Sequence, residues 1–232
     1  MASFLCLASK EASLKVLTSA ASVRARNPKQ ARFLELLKTP KPDVVVGVGP
    51  AGCGKTMLST CVGIQKLKEN EVRKLVLTRP MVSVDEELGI MPGGLLEKVA
   101  PWMMPFQDVL LSHYPKVTLE KMLKDNVIEI CPLAIMRGRS FDNAWIICDE
   151  AQNTTPSQML MLLTRLGKDS KVVVTGDPDQ YDRGFENNGL TDLLSRCNGQ
   201  INDSSWLNVV EFDDGDVERN PVIKRILKMY RD

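Results

Sequence analysis

The stretch "DVVVGVGPAGCGKT", residues 43–56, decides the fold of this chain. Its first half is an apolar run of the length of a β-strand. Its second half is rich in glycine and packs poorly. The residues after it place apolar side chains at helical spacing, at Met57, Cys61, Ile64 and Leu67. The pattern therefore predicts a strand, a glycine-rich loop and a helix in direct succession.

The loop itself matches the pattern Gly-x-x-x-x-Gly-Lys-[Ser/Thr] over residues 49–56. Glycines let the backbone point its N–H groups at a phosphate, and the following helix N-terminus favours an anion. We expect Lys55 to contact the β- and γ-phosphates of a nucleotide and the Thr56 hydroxyl to bind Mg²⁺. The expected nucleotide-binding residues are Gly49, Pro50, Ala51, Gly52, Cys53, Gly54, Lys55 and Thr56.

Strand and helix patterns alternate along the rest of the chain. Further strands are predicted at "RKLVLT", "NVIEICP", "AWIICDE", "KVVVTGD" and "NVVEF", and a closing helix at "PVIKRILKMY". In "TPSQMLMLLTRLG", Thr155 is the predicted N-cap, Pro156 the first helical residue and Gly167 the residue just past the end. This alternation predicts a single α/β domain with a mostly parallel sheet and helices on both faces.

Two acidic residues end the apolar run "AWIICDE". The carboxyl ends of parallel strands meet at one edge of the sheet, so these acids are expected beside the glycine-rich loop. Asp149 is expected to bind Mg²⁺ together with Thr56. Glu150 can orient and activate a water for attack on the γ-phosphate, which favours hydrolysis. We therefore expect Lys55 and Glu150 to be catalytic.

A third strand end, "VVVTGDPDQ", carries Thr175, Asp177 and Gln180 to the same edge. The uncharged amide of Gln180 can respond to the presence of the γ-phosphate, so Gln180 is predicted to be a sensor that assists catalysis.

With these motifs, the chain resembles the PhoH-like proteins, whose RecA-like P-loop ATPase core is similar to the first motor domain of superfamily-one helicases. The resemblance covers about residues 27–230 and is carried by "NPKQARFLELL", "GPAGCGKT", "LTRPMVSVDEELGIMPGGLLEKVAPW", "IEICPLAIMRGRSFDNAWIICDEAQNTTPSQM" and "VVVTGDPDQYD". It implies ATP binding, ATPase activity, and action on RNA or single-stranded DNA. It also implies that Gln30 contacts adenine.

The chain departs from the family pattern at Cys53, at Asp85 and after Gln180, where "YDRGFENNGL" replaces a more usual apolar residue and proline. Cys53 stands where the family usually has threonine, which predicts a site sensitive to oxidation. Asp85 replaces a usual glycine in the long segment that follows Arg79.

Charge and cysteine content restrict the class of protein. The formal net charge is only +1. Residues 1–42 nevertheless carry eight basic and two acidic side chains, so we expect a basic arm at 1–26 before a domain at 27–232. The six cysteines form no Cys-x-x-Cys pair, which indicates a reducing compartment such as the cytoplasm. Organelle targeting and a viral origin stay open, and no apolar run predicts a membrane span.

Three functions fit these motifs. The first is an ATPase acting on nucleic acid, and the second is a nucleotide-dependent switch acting on a protein partner. The third is a small-molecule kinase. No Asn-Lys-x-Asp occurs, which argues against GTP. Arg79, Arg137 and Arg139 lie near predicted strand ends, where they either contact nucleic-acid phosphates or form ion pairs.

Assembly is predicted from the need for an arginine at the γ-phosphate. In superfamily-one enzymes a second motor domain supplies it, and this chain has no room for one. We therefore expect a homo-oligomer, most simply a hexameric ring built from head-to-tail contacts. Arg219 is the first choice for the donated catalytic arginine, ahead of Arg225 and Arg165.

Overall fold

The computed structural model describes residues 23–41, 43–80, 104–181, 188–200, 205–218 and 229. Several expectations fall outside these ranges. They concern most of the basic arm, Asp85 with its long segment, Arg219, Arg225 and nearly all of the predicted closing helix.

Helices and strands follow the predicted alternation, except that two described helices lie between the second and third strands and only a 3₁₀ turn lies between the third and fourth. The helices are α1 Pro28–Lys38, α2 Lys55–Lys68, α3 Met104–His113, α4 Lys116–Lys124, α5 Pro156–Leu163 and α6 Gly189–Gln200. The strands are β1 Val44–Val48, β2 Lys74–Thr78, β3 Ile128–Ile130, β4 Ala144–Cys148, β5 Lys171–Gly176 and β6 Leu207–Glu211. Short 3₁₀ turns occupy Leu133–Met136, Ala151–Asn153 and Asp214–Asp216.

The six strands form one sheet in the order β3-β2-β4-β5-β1-β6. Every neighbouring pair is parallel. The predicted parallel α/β architecture is therefore confirmed. Because β5 lies between β1 and β4, the segments that follow these three strands lie side by side at the carboxyl edge of the sheet.

Apolar side chains on the two faces of the sheet belong to two separate cores. In β4, Trp145 and Ile147 pack with residues of α1, α2, α3 and α4. Ile146 and Cys148 alternate with them and pack with residues of α5 and α6. The prediction of helices on both faces is confirmed.

Helix α2 approaches β4 closely at Gly63. A Cβ atom at Gly63 would lie 2.5 Å from Cδ1 of Trp145. The indole N–H of Trp145 donates a hydrogen bond of 3.2 Å to the carbonyl oxygen of Ser59, one turn earlier in the helix. Glycine at position 63 thus allows the helix to lie directly on the indole.

The buried face of α2 differs from the predicted one at Met57. This side chain is 44% exposed, whereas its neighbour Leu58 is fully buried. The helix begins at Lys55, so its first turn borders an open cleft and only the next residue faces the core.

The N-cap of α5 is confirmed. The Thr155 hydroxyl accepts the backbone N–H of Gln158, and the Gln158 side chain accepts the backbone N–H of Thr155. The helix ends at Leu163 rather than next to Gly167. Gly167 instead lies against Phe141, whose carbonyl oxygen would be 2.5 Å from a Cβ at this position.

Two further observations concern the described residues. None of their helices is long and apolar enough to cross a membrane. Their five cysteines, Cys53, Cys61, Cys131, Cys148 and Cys197, are unpaired.

Candidate nucleotide site

The glycine-rich loop connects β1 to α2 and depends on left-handed backbone at three glycines. The φ angles of Gly49, Gly52 and Gly54 are 131°, 96° and 83°. A Cβ on Gly49 would also lie 2.2 Å from the carbonyl oxygen of Phe212. The loop is tied to the sheet by the Gly49 N–H, which donates to the Gly176 carbonyl over 3.2 Å. Residues with side chains cannot adopt this path without strain.

Lys55 is buried at the base of this loop. Its Nζ donates to the carbonyl oxygens of Gly49 at 2.5 Å and Pro50 at 2.9 Å. Burial lowers the pKa of the lysine below its ordinary value. Both partners are neutral carbonyls, so the positive charge is available to an anion that enters the loop.

The two predicted metal ligands are in contact. The Thr56 hydroxyl donates a hydrogen bond of 2.7 Å to Oδ1 of Asp149, and the Thr175 hydroxyl donates another of 2.7 Å to the same oxygen. Burial raises the pKa of Asp149, while the nearby Arg79 acts to lower it. A hydroxyl and a carboxylate are hard oxygen ligands, so Thr56 and Asp149 fit Mg²⁺.

The Glu150 carboxylate lies between two hydrogen-bond partners that the sequence pattern does not predict. Arg79 donates to Oε1 at 2.9 Å and Gln152 donates to Oε2 at 2.6 Å. Arg79 also lies 3.4 Å from Oδ2 of Asp149. The Glu150 backbone is left-handed, with φ 52°, and its side chain is 43% exposed. The acid is oriented yet accessible to water.

The position of Arg79 could have been found from the sequence. It follows β2, which lies beside β4 in the sheet, so both strand ends meet at the carboxyl edge. Gln152 gave no such signal, because its role depends on the short turn after Glu150.

Gln180, the predicted sensor, belongs to a hydrogen-bonded chain that reaches Glu150. Gln180 Nε2 donates to Oδ2 of Asp177 at 2.6 Å. The Asp177 N–H donates to Oε1 of Gln152 at 3.1 Å, and Gln152 contacts Glu150 as described above. Gln180 and Glu150 are thus connected through two intervening residues.

These groups border one cleft of about 270 Å³. Its lining includes Ala51, Gly52, Gly54, Lys55, Thr56, Asp149, Glu150, Asp177 and Gln180. The structure therefore brings the phosphate loop, the acid pair and the sensor together.

Gln30 lies on α1, buried behind the phosphate loop. Its Nε2 donates to the Cys53 carbonyl at 3.0 Å, and its Oε1 accepts the Arg26 N–H at 2.9 Å. In this state Gln30 supports the loop from outside the cleft. The Cys53 thiol is fully buried and burial raises its pKa, which disfavours the reactive thiolate and argues against the predicted sensitivity to oxidation.

Basic residues around the start of α1 pair with acidic residues of the segment 213–218 beside the loop. Lys29 Nζ lies 2.6 Å from Asp213 and 3.3 Å from Asp216. Glu218, two residues after Asp216, lies 3.9 Å from Arg26. Arg26, the last residue of the predicted arm, and Lys29, just beyond it, are therefore engaged within the chain.

Two of the arginines near strand ends form ion pairs. Arg79 binds the acid pair, and Arg139 binds Glu129, with one bond of 3.0 Å between Nη2 and Oε2. Arg137 is exposed. Arg165, a weaker choice for a donated arginine, donates to the carbonyl oxygens of Arg139 and Met161 within its own chain.

The parallel sheet, the glycine-rich loop and the acid pair after β4 define a P-loop protein of the RecA-like class. The family model described as "PhoH-like protein" matches residues 22–231. This chain belongs to the PhoH-like protein family, as its sequence motifs predict.

Individual relatives show the same relationship. A PhoH-like protein of Bacillus subtilis (strain 168) is 40% identical over 209 residues, which are 90% of this chain and 64% of the relative. Protein PhoH of Escherichia coli (strain K12) is 37% identical over 212 residues, which are 90% of this chain and 58% of the relative. The chain thus spans less than two thirds of the length of these relatives.

Among solved structures, the similarity to the Pif1 helicase from Candida albicans covers 90% of this chain and 44% of the helicase chain. The sequence identity is 12% and the TM-score is 0.42. The fold assignment rests on the strand order and the phosphate loop described above.

Proposed function

We propose that this protein is a Mg²⁺-dependent ATPase that acts on RNA or single-stranded DNA. The observation that carries the ATPase proposal is the 2.7 Å hydrogen bond between Thr56 and Asp149, next to the accessible carboxylate of Glu150. A phosphate-binding loop and a group able to activate water therefore border the same cleft.

Each residue has a separate task in this proposal. Lys55 leaves the loop carbonyls and binds the β- and γ-phosphates. Thr56 and Asp149 would hold Mg²⁺, which would neutralise phosphate charge. Glu150, oriented by Arg79 and Gln152, accepts a proton from the attacking water.

Two outer residues complete the nucleotide site. Gln180 responds to the γ-phosphate through its contact with Asp177. Gln30 contacts adenine after its Oε1 is released from the Arg26 N–H, with its hydrogen bond to the Cys53 carbonyl retained.

Two substitutions test the ATPase proposal. Lys55→Ala should reduce nucleotide binding and phosphate release to background, because the cation at the phosphates is lost. Glu150→Gln should keep binding of a non-hydrolysable ATP analogue but lose about a hundredfold or more in rate, because the amide cannot accept the proton. Arg32→Ala, an exposed change on α1, serves as control. A wild-type rate in Glu150→Gln would remove Glu150 from the mechanism.

The nucleic-acid part of the proposal is supported by exposed basic side chains, such as Arg24 and Arg137. The ion pairs of Arg79 and Arg139 favour the second candidate, a switch that acts on a protein partner. Phosphate release measured with and without single-stranded RNA, at several salt concentrations, separates the two. Stimulation that weakens as salt rises supports nucleic acid, and an unchanged rate supports the protein partner.

A further inference from the structure

A second cavity, of about 600 Å³, lies at the opposite edge of the sheet from the nucleotide cleft. Its lining includes Val72 and Arg73, which precede β2, and Val127, which precedes β3. Lys68, the last residue of α2, borders it as well. The nucleotide cleft follows the carboxyl ends of the parallel strands, whereas this cavity lies at their amino ends. The two sites therefore share no lining residue.

The charge of the cavity is positive. Lys68 and Arg73 line it, and none of its nine described lining residues is acidic. The two glutamates of the adjoining loop are bound elsewhere, Glu69 to Gln65 at 2.8 Å and Glu71 to Lys66 at 2.6 Å. Within the described ranges, the Arg73 side chain forms no ion pair. An anion in this cavity would meet two cations and no competing carboxylate in the wall.

Tyr114 provides an independent sign of a missing ligand group. This residue is only 5% exposed and belongs to the cavity wall. Among the described residues, its buried hydroxyl has no hydrogen-bond partner. Burial raises the pKa of the phenol to about 12, so the hydroxyl keeps its proton and can donate. A buried donor without a partner is unfavourable, and an acceptor on a ligand would remove that cost.

Most of the remaining wall is apolar, with Asn70 and Thr118 as its other polar residues. Val72, Met122 and Val127 contribute aliphatic surface, and Lys68 Nζ lies 4.9 Å from the centroid of the Tyr114 ring. Pockets of about 300–1,000 Å³ with mostly apolar walls and a few polar groups are typical of sites for small molecules.

We propose that this cavity binds a small organic anion, in which a carboxylate or phosphate is joined to an aromatic or aliphatic body. The anionic group lies between Lys68 and Arg73, and a shift of the Tyr114 side chain lets its hydroxyl, which is closed to solvent in the free protein, donate a hydrogen bond to it. The body packs against Val72, Met122 and Val127. The site is independent of the proposed ATPase activity.

The test uses naphthyl phosphate as probe and naphthol as its uncharged match, with binding to the full chain followed by fluorescence polarisation. Naphthyl phosphate should bind at least about tenfold more tightly than naphthol, as expected when charge-assisted hydrogen bonds are added. The probe should also bind the Lys55→Ala variant, in which the phosphate loop has lost its cation. Binding at the cavity is thereby separated from binding at the nucleotide site.

Three variants locate the probe. Arg73→Glu should weaken binding of naphthyl phosphate about tenfold or more, and Met122→Trp should weaken it by occupying part of the space beside the apolar wall. Arg32→Glu makes the same charge change on α1 and should have no effect. Thermal unfolding of each variant shows that it is folded. The proposal is overturned if affinity for naphthyl phosphate is unchanged in Arg73→Glu, equals that for naphthol, or disappears in Lys55→Ala.

Discussion

Lys171 is a buried cation that serves the fold rather than the nucleotide site. It is 6% exposed, and its Nζ donates to the carbonyl oxygens of Leu36 at 3.0 Å and Thr39 at 2.7 Å, at the end of α1. Burial lowers its pKa from 10.5 to about 8. Between these two values the unfolded chain binds the proton more tightly than the folded protein, so this residue makes stability rise with pH.

The first prediction at this scale concerns Lys171→Met. The free energy of unfolding of the wild type, minus that of the variant, should increase as the pH rises from about 8 to about 10. The increase should amount to about 2–3 kcal/mol, because each pKa unit corresponds to about 1.4 kcal/mol. Urea denaturation of both proteins across this range measures it. Taking the difference cancels the other titrating groups, and a difference that does not vary with pH would contradict the assignment.

Individual site residues differ in how far the sequence predicts them. Lys55 and Thr56 have fixed positions in a motif, and Glu150 is the second residue after β4, so local pattern was enough to place them at one edge. The hydrogen-bond partners of Glu150 were not predicted. Arg79 and Gln152 reach it from separate segments, and such pairing depends on side-chain directions that a sequence pattern does not contain.

At the scale of elements, the contact between α2 and β4 leads to a second stability prediction. Gly63→Ala should destabilise the protein by about 1–3 kcal/mol, because the added methyl group would overlap the Trp145 indole. In an exposed helix the same change would stabilise by roughly 0.5–1 kcal/mol. Thermal or urea unfolding gives the measurement. Gln65→Ala, an exposed position on the same helix, should stay within about 0.5 kcal/mol of wild type. A stabilised Gly63→Ala would show that the helix can move away from the indole.

Most elements followed from local pattern, and the exceptions have identifiable causes. The strands have the predicted positions because continuous apolar runs fit a sheet that is covered on both faces. The predicted end of α5 is wrong, because Gly167 does not mark the end of the helix. Glycine is needed there for the close contact with Phe141, which lies far from it in sequence. Met57 fits the helical spacing of the apolar residues in α2 but is exposed. Spacing alone does not show that the first helical turn borders a cleft.

At the scale of the whole molecule, we expect the proposed ATPase to act as a ring, with a hexamer favoured. Lys55 is the one cation among the described residues lining the cleft. Arg79 is engaged with the acid pair. An arginine from a neighbouring subunit would supply further positive charge at the γ-phosphate, worth about 10³ or more in rate. Arg219 remains the first choice. Light scattering with an ATP analogue and RNA measures the assembly, and full activity in a monomer would contradict it.

A mixing experiment tests the donated arginine. Arg219→Ala chains and Glu150→Gln chains should each be inactive alone. When they assemble together, some interfaces join an intact Arg219 to an intact Glu150, so phosphate release should partly return. Wild-type chains mixed with Glu150→Gln chains provide the control for assembly. If mixed rings form without any recovery, Arg219 does not act across the interface.

The hydrogen-bonded chain from Gln180 to Glu150 has a consequence for kinetics. All four of its members follow β4 or β5 of one subunit, so a displacement of Gln180 by the γ-phosphate reaches the general base without any movement of whole subunits. Side-chain rearrangements of this kind are faster than subunit rotations by several orders of magnitude. In the proposed enzyme, the response to nucleotide is therefore a fast, unimolecular event within each chain. The rate of turnover depends on protein concentration only where the ring is incompletely assembled.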